Sequence, residues 1–202
     1  MLISSYGAQV ETAFPSWITE TADWNVDVIF LLDAELRFVD CNPGWDSFAA
    51  NNGGYGILRH EIQGRSILDY MPDILRTFYV HRYWLAKRSE QPTALDYDCS
   101  SPEKIRLFRM TMTPLADGLL VVNRLRLEEA CPAAPPLTEE RRLLYAAPHG
   151  VVTMCANCRK SRRRDDATLW EWVPDFLRSR AVPVSHGLCP RCVSLLYGPI
   201  DR

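Results

Sequence analysis

Two cysteine pairs, Cys155-Ala-Asn-Cys158 and Cys189-Pro-Arg-Cys192, carry the chemistry of this chain. Two residues separate the sulfurs of each pair, so one tight turn can present both to a single ion, and two such turns close a tetrahedron around zinc. The 30 residues between the pairs exceed the roughly 15 to 20 of short four-cysteine fingers, leaving room for a small element between the turns. Four thiolates complete a structural site, whereas a catalytic zinc keeps a position open for water beside three protein ligands. His186 is an alternative ligand; with the thiolate set complete, its expected role is a hydrogen bond to one of them. Arg159, Lys160, Arg162, Arg163 and Arg164 follow the first pair and can neutralise the phosphates of DNA or RNA. Asp165 and Asp166 come directly after, as in a solvated loop with its own counter-charges, and no complete recognition helix is evident.

Other cysteine chemistries compete with zinc. Disulfides need an oxidising compartment, and the N-terminus lacks the basic start and apolar run of a secretory signal. A redox Cys-x-x-Cys usually stands alone at a helix start after a strand, whereas here there are two pairs. Iron suits tetrahedral sulfur as well as zinc does. Cys-Pro-x-Cys resembles half of a rubredoxin site, but that family has Gly after each pair, where this chain has Arg159 and Val193. A side chain fits the left-handed turn poorly, which weighs against iron. Cys41 and Cys99 are expected to be small buried residues. The chain has no Gly-rich phosphate loop, no Gly-x-Ser-x-Gly turn and no His-Glu-x-x-His, so a non-enzymatic protein is expected.

The elements that must position these residues follow from composition and periodicity. The 202 residues are 47% hydrophobic and 24% charged, enough for one domain with a core plus a smaller appendage. No apolar stretch approaches the about 20 residues of a membrane span, so a soluble, cytoplasmic protein is expected. Up to Gly150 there are 14 Lys/Arg against 20 Asp/Glu, net −6; after it there are 9 against 5, net +4. The two parts therefore meet different partners, or each other. Residues 128–137, with three prolines in five positions, cannot propagate a helix or a central strand and read as a linker. A short helix over 138–147, capped by Thr138 and stopped by Pro148 and Gly150, follows it as a bridge.

Before the linker, Val28–Asp33 and Leu36–Cys41 read as a hairpin. Asn42-Pro-Gly opens a helix around Trp45, Phe48 and Ala49 that ends at Gly53 and Gly54. A longer helix over 72–89 places Ile74, Leu75, Phe78, Trp84 and Leu85 near helical spacing, with Phe78 and Trp84 expected in the core. Strands at 93–99, 105–113 and 119–127 complete the order of two strands, helices, three strands.

That order, with Val28-Ile-Phe-Leu-Leu-Asp33, Leu36-Arg-Phe-Val-Asp-Cys-Asn-Pro-Gly-Trp45, Gly64-Arg-Ser-Ile-Leu-Asp69 and Phe108-Arg-Met-Thr-Met-Thr-Pro-Leu115, resembles a PAS domain over residues 23–127. An unrelated sheet-and-helix domain is the alternative. The resemblance implies a five-stranded antiparallel sheet against short helices, and a sensory or protein-interaction role. It also implies that 14–25, with Trp17, Ile18 and Trp24, form an N-terminal cap helix through which such domains often dimerise. No Asn-Cys-Arg-Phe-Leu-Gln run is present, which excludes the family's covalent flavin photochemistry. Haem sensors of the family hold iron through a His on the long helix, and His81 lies in that region. A partly exposed helix residue is the competing reading of His81.

The tail, with Met154-Cys-Ala-Asn-Cys-Arg-Lys-Ser-Arg162 and Ser185-His-Gly-Leu-Cys-Pro-Arg-Cys192, resembles a cysteine-paired extension found after sensory and receiver domains in bacterial signalling proteins. The segment 169–177 between the pairs is expected to pack over the metal. The whole reads as an α+β chain: a cap helix (1–25), a PAS-like five-stranded antiparallel sheet with flanking helices (26–127), linker and short helix (128–150), and a zinc-ribbon-like four-cysteine module (151–202). Structural zinc contributes about 10–16 kcal/mol of apparent binding energy that is also folding energy, which a module of some 50 residues needs. The expected protein is a dimeric sensory adaptor whose zinc module contacts a protein partner. Its alternatives are a zinc-containing DNA-binding regulator and a haem- or iron-dependent sensor.

Overall fold

The computed structural model describes residues 14–131, 133, 135–179 and 181–198. In chain order the elements are α1 (Ile18–Thr21), β1 (Val28–Asp33), β2 (Phe38–Cys41), α2 (Pro43–Asn51), α3 (Arg59–Ile62), a 3-10 turn (Ile67–Tyr70), α4 (Asp73–Arg88), β3 (Thr93–Asp98), β4 (Lys104–Leu115) and β5 (Gly118–Ala130). The tail adds α5 (Glu139–Leu143), β6 (Val152–Cys155), β7 (Ser161–Arg162), β8 (Trp170–Glu171), α6 (Asp175–Arg178), β9 (Val184–Gly187) and α7 (Pro190–Tyr197). The class is α+β, with one five-stranded sheet in the order β2-β1-β5-β4-β3 and one four-stranded sheet in the order β8-β7-β6-β9. Contacts divide the chain into two compact units. One comprises Met1–Met71, His81–Asp96 and Arg109–Leu125; the other comprises Pro72–Val80, Tyr97–Phe108 and Arg126–Arg202.

The first unit is built on β1, an apolar run rather than an alternating strand because both its faces are covered. Ile29 and Leu31 face Phe14, Ile18 and Leu120, with Trp24 packed at the edge. Phe30 on the other face meets Phe38 and Trp45, ring centroids 5.4 Å away in each case. Of the expected cap helix, the described part is one turn, α1, and residues 1–13 lie outside the described residues. Ile18 is 2% exposed and Trp17 41%.

Asn42 explains why an asparagine follows the second strand. Fully buried, its Oδ1 accepts from the N–H groups of Ile29 (2.9 Å) and Trp45 (3.0 Å), while its Nδ2 donates to the carbonyls of Trp24 (2.7 Å) and Asp27 (2.8 Å). It caps α2 and ties that helix to β1 with one side chain. The Gly64-Arg-Ser turn lies along β2: the Gly64 N–H donates to the Phe38 carbonyl and the Phe38 N–H to that of Arg65. Gly64 has φ +77, a left-handed conformation that favours glycine. Ser66 then accepts from the Leu68 N–H and starts the 3-10 turn.

Three expectations are corrected. On α4 the buried side chains are Leu75, Phe78, Tyr79, Tyr83 and Ala86, a helical stripe, whereas Trp84 is 48% exposed and Ile74 and Leu85 are exposed with it. Apolar spacing alone selected the wrong partners because tyrosines fill the buried stripe. β2 starts at Phe38, not Leu36, because Leu36 has φ +62 and turns the hairpin. β5 runs to Ala130, three residues into the segment expected as linker, where Glu128 pairs with Lys104 and Arg106 of β4.

The second unit explains the long gap between the cysteine pairs. β6 and β9 are parallel, with Val152 opposite Val184 and Cys155 opposite Gly187. Parallel neighbours need a crossover of about a dozen residues or more. Here it contains β7, β8 and α6. Its core is Tyr145, Ala146, Val152, Met154, Val173 and Phe176, with Leu137 and Leu144 packed against it. The expected bridging helix is thus one short turn-and-a-half, α5, capped by Thr138, whose following residues belong to this core.

Candidate metal centre

Each cysteine pair sits where a strand of the parallel pair ends. Cys155 closes β6, and the chain turns back so that the Cys155 N–H donates to the Lys160 carbonyl (2.8 Å). Cys189 follows β9 and is the N-cap residue of α7, placing Cys192 in the helix's first turn with Pro190 at its start. Because the two strands run the same way, both turns open at the same end. The Ala156 N–H donates to the Gly187 carbonyl (2.8 Å) and holds one turn beside the other.

The four sulfurs all lie within 4.8 Å of one another, and Cys158 Sγ is 3.7 Å from Cys189 Sγ. A tetrahedron with metal–sulfur bonds of about 2.3 Å has edges of about 3.8 Å, so the set fits one tetrahedral ion. Cys155, Cys189 and Cys192 are buried and Cys158 is partly exposed. Trp170 and Leu188 pack against the cluster. A Cβ added at Gly187 would lie 3.4 Å from Trp170 Cη2, ordinary contact under the indole. Only Trp170 of the expected covering segment lies over the sulfurs; Val173 and Phe176 turn into the separate core.

Electrostatics favour shared negative charge. Hydrogen bonds from Cys158 and Cys192 hold the Cys155 thiol far below its ordinary range, and the same sharing pushes Cys158 far up and Cys192 up to about 12. A metal replaces those shared protons. Surrounding donors include the Cys189 N–H, 3.4 Å from Cys155 Sγ, and the Asn157 amide, 3.3 Å from Cys192 Sγ. Asn157 is 5% exposed, and no spacing signature along the chain marks an asparagine inside Cys-x-x-Cys for this role. His186, expected to hydrogen-bond a thiolate, is instead exposed on β9 opposite Met154, outside the four-thiol cluster.

The turn geometry also corrects the objection to iron. Arg159 does adopt the left-handed conformation, φ +63, so a side chain there has not prevented the turn. Val193 continues α7, and its N–H donates to the Cys189 carbonyl. The donor set is compatible with a metal ion whose identity the geometry leaves open.

The side chains of the basic run have different surroundings. Arg163 forms a bidentate pair with Asp165, and Arg164 donates to the Leu143 and Leu144 carbonyls, while Arg159 and Arg162 are exposed and Lys160 is half-buried. His81 is exposed and stacks on Trp84, with Arg88 on the same ring 4.1 Å from its centroid. An imidazole on the solvent side of α4 is badly placed for an axial ligand held in a domain interior. Burial, then Asp40, pushes the Cys41 thiol far up, so it stays a protonated core residue; Cys99 is raised by burial too.

No family model matches the chain, and no curated protein matches it. Among solved structures it is similar to the PAS domain of a Colwellia psychrerythraea protein (14% identity, 55% of this chain and 98% of that one, TM-score 0.40). It is also similar to a sensory box sensor histidine kinase from Vibrio cholerae (12%, 59% and 96%, TM-score 0.37) and to a domain of an HTR-like protein from Haloarcula marismortui (16%, 50% and 98%, TM-score 0.39). These likenesses cover 50 to 59% of this chain, which carries besides a four-cysteine cluster that could hold a metal.

Proposed function

We propose that the chain is a non-enzymatic sensory adaptor of the cytoplasm: a PAS-like domain, paired with a second copy, coupled to a structural-zinc module that contacts a protein partner. The observation that carries it is the closed set of four sulfurs within 4.8 Å, which leaves no position for a substrate or water on the ion. Supporting it are the five-stranded antiparallel sheet with its flanking helices and the buried Asn42 that ties α2 to β1. No helix among the described residues is long and apolar enough to cross a membrane.

Zinc is preferred over iron for a site that would hold a fold together without redox change. DNA binding through the basic run is the weaker reading, since Arg163 is paired with Asp165 and the run lies on β7 and its flanking loops rather than on a recognition helix. A haem-dependent sensor is weaker still with His81 exposed. Metal analysis with an absorption spectrum of the purified protein tests the reading: a colourless protein with one zinc per chain is expected. A Soret band or thiolate–iron colour overturns the structural-zinc assignment. Salt-dependent affinity for duplex DNA, lost on charge reversal at Arg162, Arg163 and Arg164, would favour the regulator instead.

A further inference from the structure

The second compact unit is not the tail alone: it includes the front of α4, the end of β3 with the start of β4, and the end of β5. Three separate contacts inside it join those pieces to the cysteine-bearing segments. Tyr197, at the end of the helix whose first turn carries Cys192, meets Phe78 of α4 edge to face, ring centroids 5.6 Å apart. Trp172, two residues after the Trp170 that covers the sulfurs, donates its indole N–H to Cys131 Sγ (2.7 Å), just past β5. Arg178 of α6 reaches the turn between β3 and β4, with Nε 3.3 Å from Glu103 and a terminal nitrogen 3.5 Å from the Pro102 carbonyl. Glu103 is itself fixed from the same side, since its carbonyl accepts from the Cys131 N–H (2.8 Å).

These contacts hang on segments that the sulfurs organise. α7 has eight residues, well under the about 12–15 at which an isolated helix becomes even marginally stable, and its start is held through Cys189 and Cys192. β8 is two residues long and depends on β7, itself paired to β6 where Cys155 ends the strand. Removing the ion leaves four sulfurs with nothing to gather them and withdraws support from both elements.

We infer that the metal-held module is a clamp: occupancy of the four-cysteine site decides whether Tyr197 and Trp172 hold Phe78 and Cys131, so that α4 and the β3–β4 end of the sheet register metal loading. The inference rests on the proposed structural zinc and assigns that site a regulatory consequence. Where the sequence suggested two modules joined by a linker, coupling runs through direct contacts.

Hydrogen exchange read by mass spectrometry on the full chain, with zinc and after chelation, tests it. Chelation is expected to accelerate exchange by about tenfold or more at residues 72–80 and 97–104, together with 152–162 and 184–197, while 28–33 keep their protection. Tyr197→Ala, retaining its zinc by metal analysis, should accelerate 72–80, and Tyr197→Phe, which keeps the ring, should not. Trp172→Phe, which keeps a ring but removes the N–H, should loosen the segment around Cys131. If chelation removes zinc and opens 152–197 but leaves 72–80 and 97–104 unchanged, the clamp is wrong and structural zinc stands. If Tyr197→Ala leaves 72–80 at wild-type rates with zinc bound, the clamp is wrong in its principal contact. A chain that binds no zinc sinks both the clamp and the functional reading beneath it.

Discussion

Four thiolates around a divalent ion leave two negative charges over, and nearby N–H groups must meet that surplus for the site to bind tightly. Asn157 is such a group: buried within the first cysteine turn, its amide points at Cys192 of the other pair and so braces the two halves together. Asn157→Ala should weaken zinc by about 10- to 100-fold in competition with a chelator, while His186→Ala, on an exposed strand position, should leave affinity unchanged. Equal affinities for the Asn157 variant and the wild type would remove the amide from the site. Asn42 shows the same economy elsewhere, satisfying four backbone groups from a position with no solvent to replace them. The cysteines were legible from spacing alone because any Cys-x-x-Cys turn converges two sulfurs. Asn157 was not, because its role depends on which sulfur of the distant pair comes within reach.

At the scale of elements, the long strands β4 and β5 are tied near the end of β5 by charge as well as by backbone. Glu128 on β5 accepts from Lys104 (2.5 Å) and Arg106 (2.7 Å) of β4, and Arg106 is itself buried. The hydrogen bond from Arg106, then that from Lys104, lowers the Glu128 carboxyl below its ordinary value of 4.5. A carboxylate favoured in the folded state binds fewer protons there than in the unfolded chain, so its contribution is complete above about pH 4.5 and fades as pH falls through the lower folded value. Urea unfolding across a pH series should therefore show Glu128→Gln less stable than wild type near neutrality, with the two curves converging in acid. Parallel curves down to about pH 3 would show that the pair does not favour the folded state. Strand existence was readable here from β-branched and apolar runs; strand length was not. Glu128–Ala130 look like the start of a linker until β4 offers them cationic and backbone partners.

For the molecule as a whole, an ion held by the four cysteines would be a folding ligand, because the unfolded chain has no comparable site. Each tenfold rise in buffered free zinc above its dissociation constant should stabilise the cysteine-bearing unit by about 1.4 kcal/mol, read as a rising denaturation midpoint. A midpoint indifferent to zinc would rule out a structural ion. The opposite net charges of the two sequence halves find one physical expression in Arg178 against Glu103, an acidic position of the front part meeting a basic one of the tail. By itself the sequence determined the fold class, the strand order along the chain, the asparagine cap and the two cysteine pairs that the fold gathers, because each depends on local periodicity or on residues a turn apart. Only the tertiary structure decided that β6 and β9 run parallel, that Trp84 and His81 face solvent, and that the tail's core includes the segment before it. It alone placed Tyr197 on Phe78 and Trp172 on Cys131. Those two contacts join residues 119 and 41 positions apart, and no spacing rule along the chain encodes which faces meet.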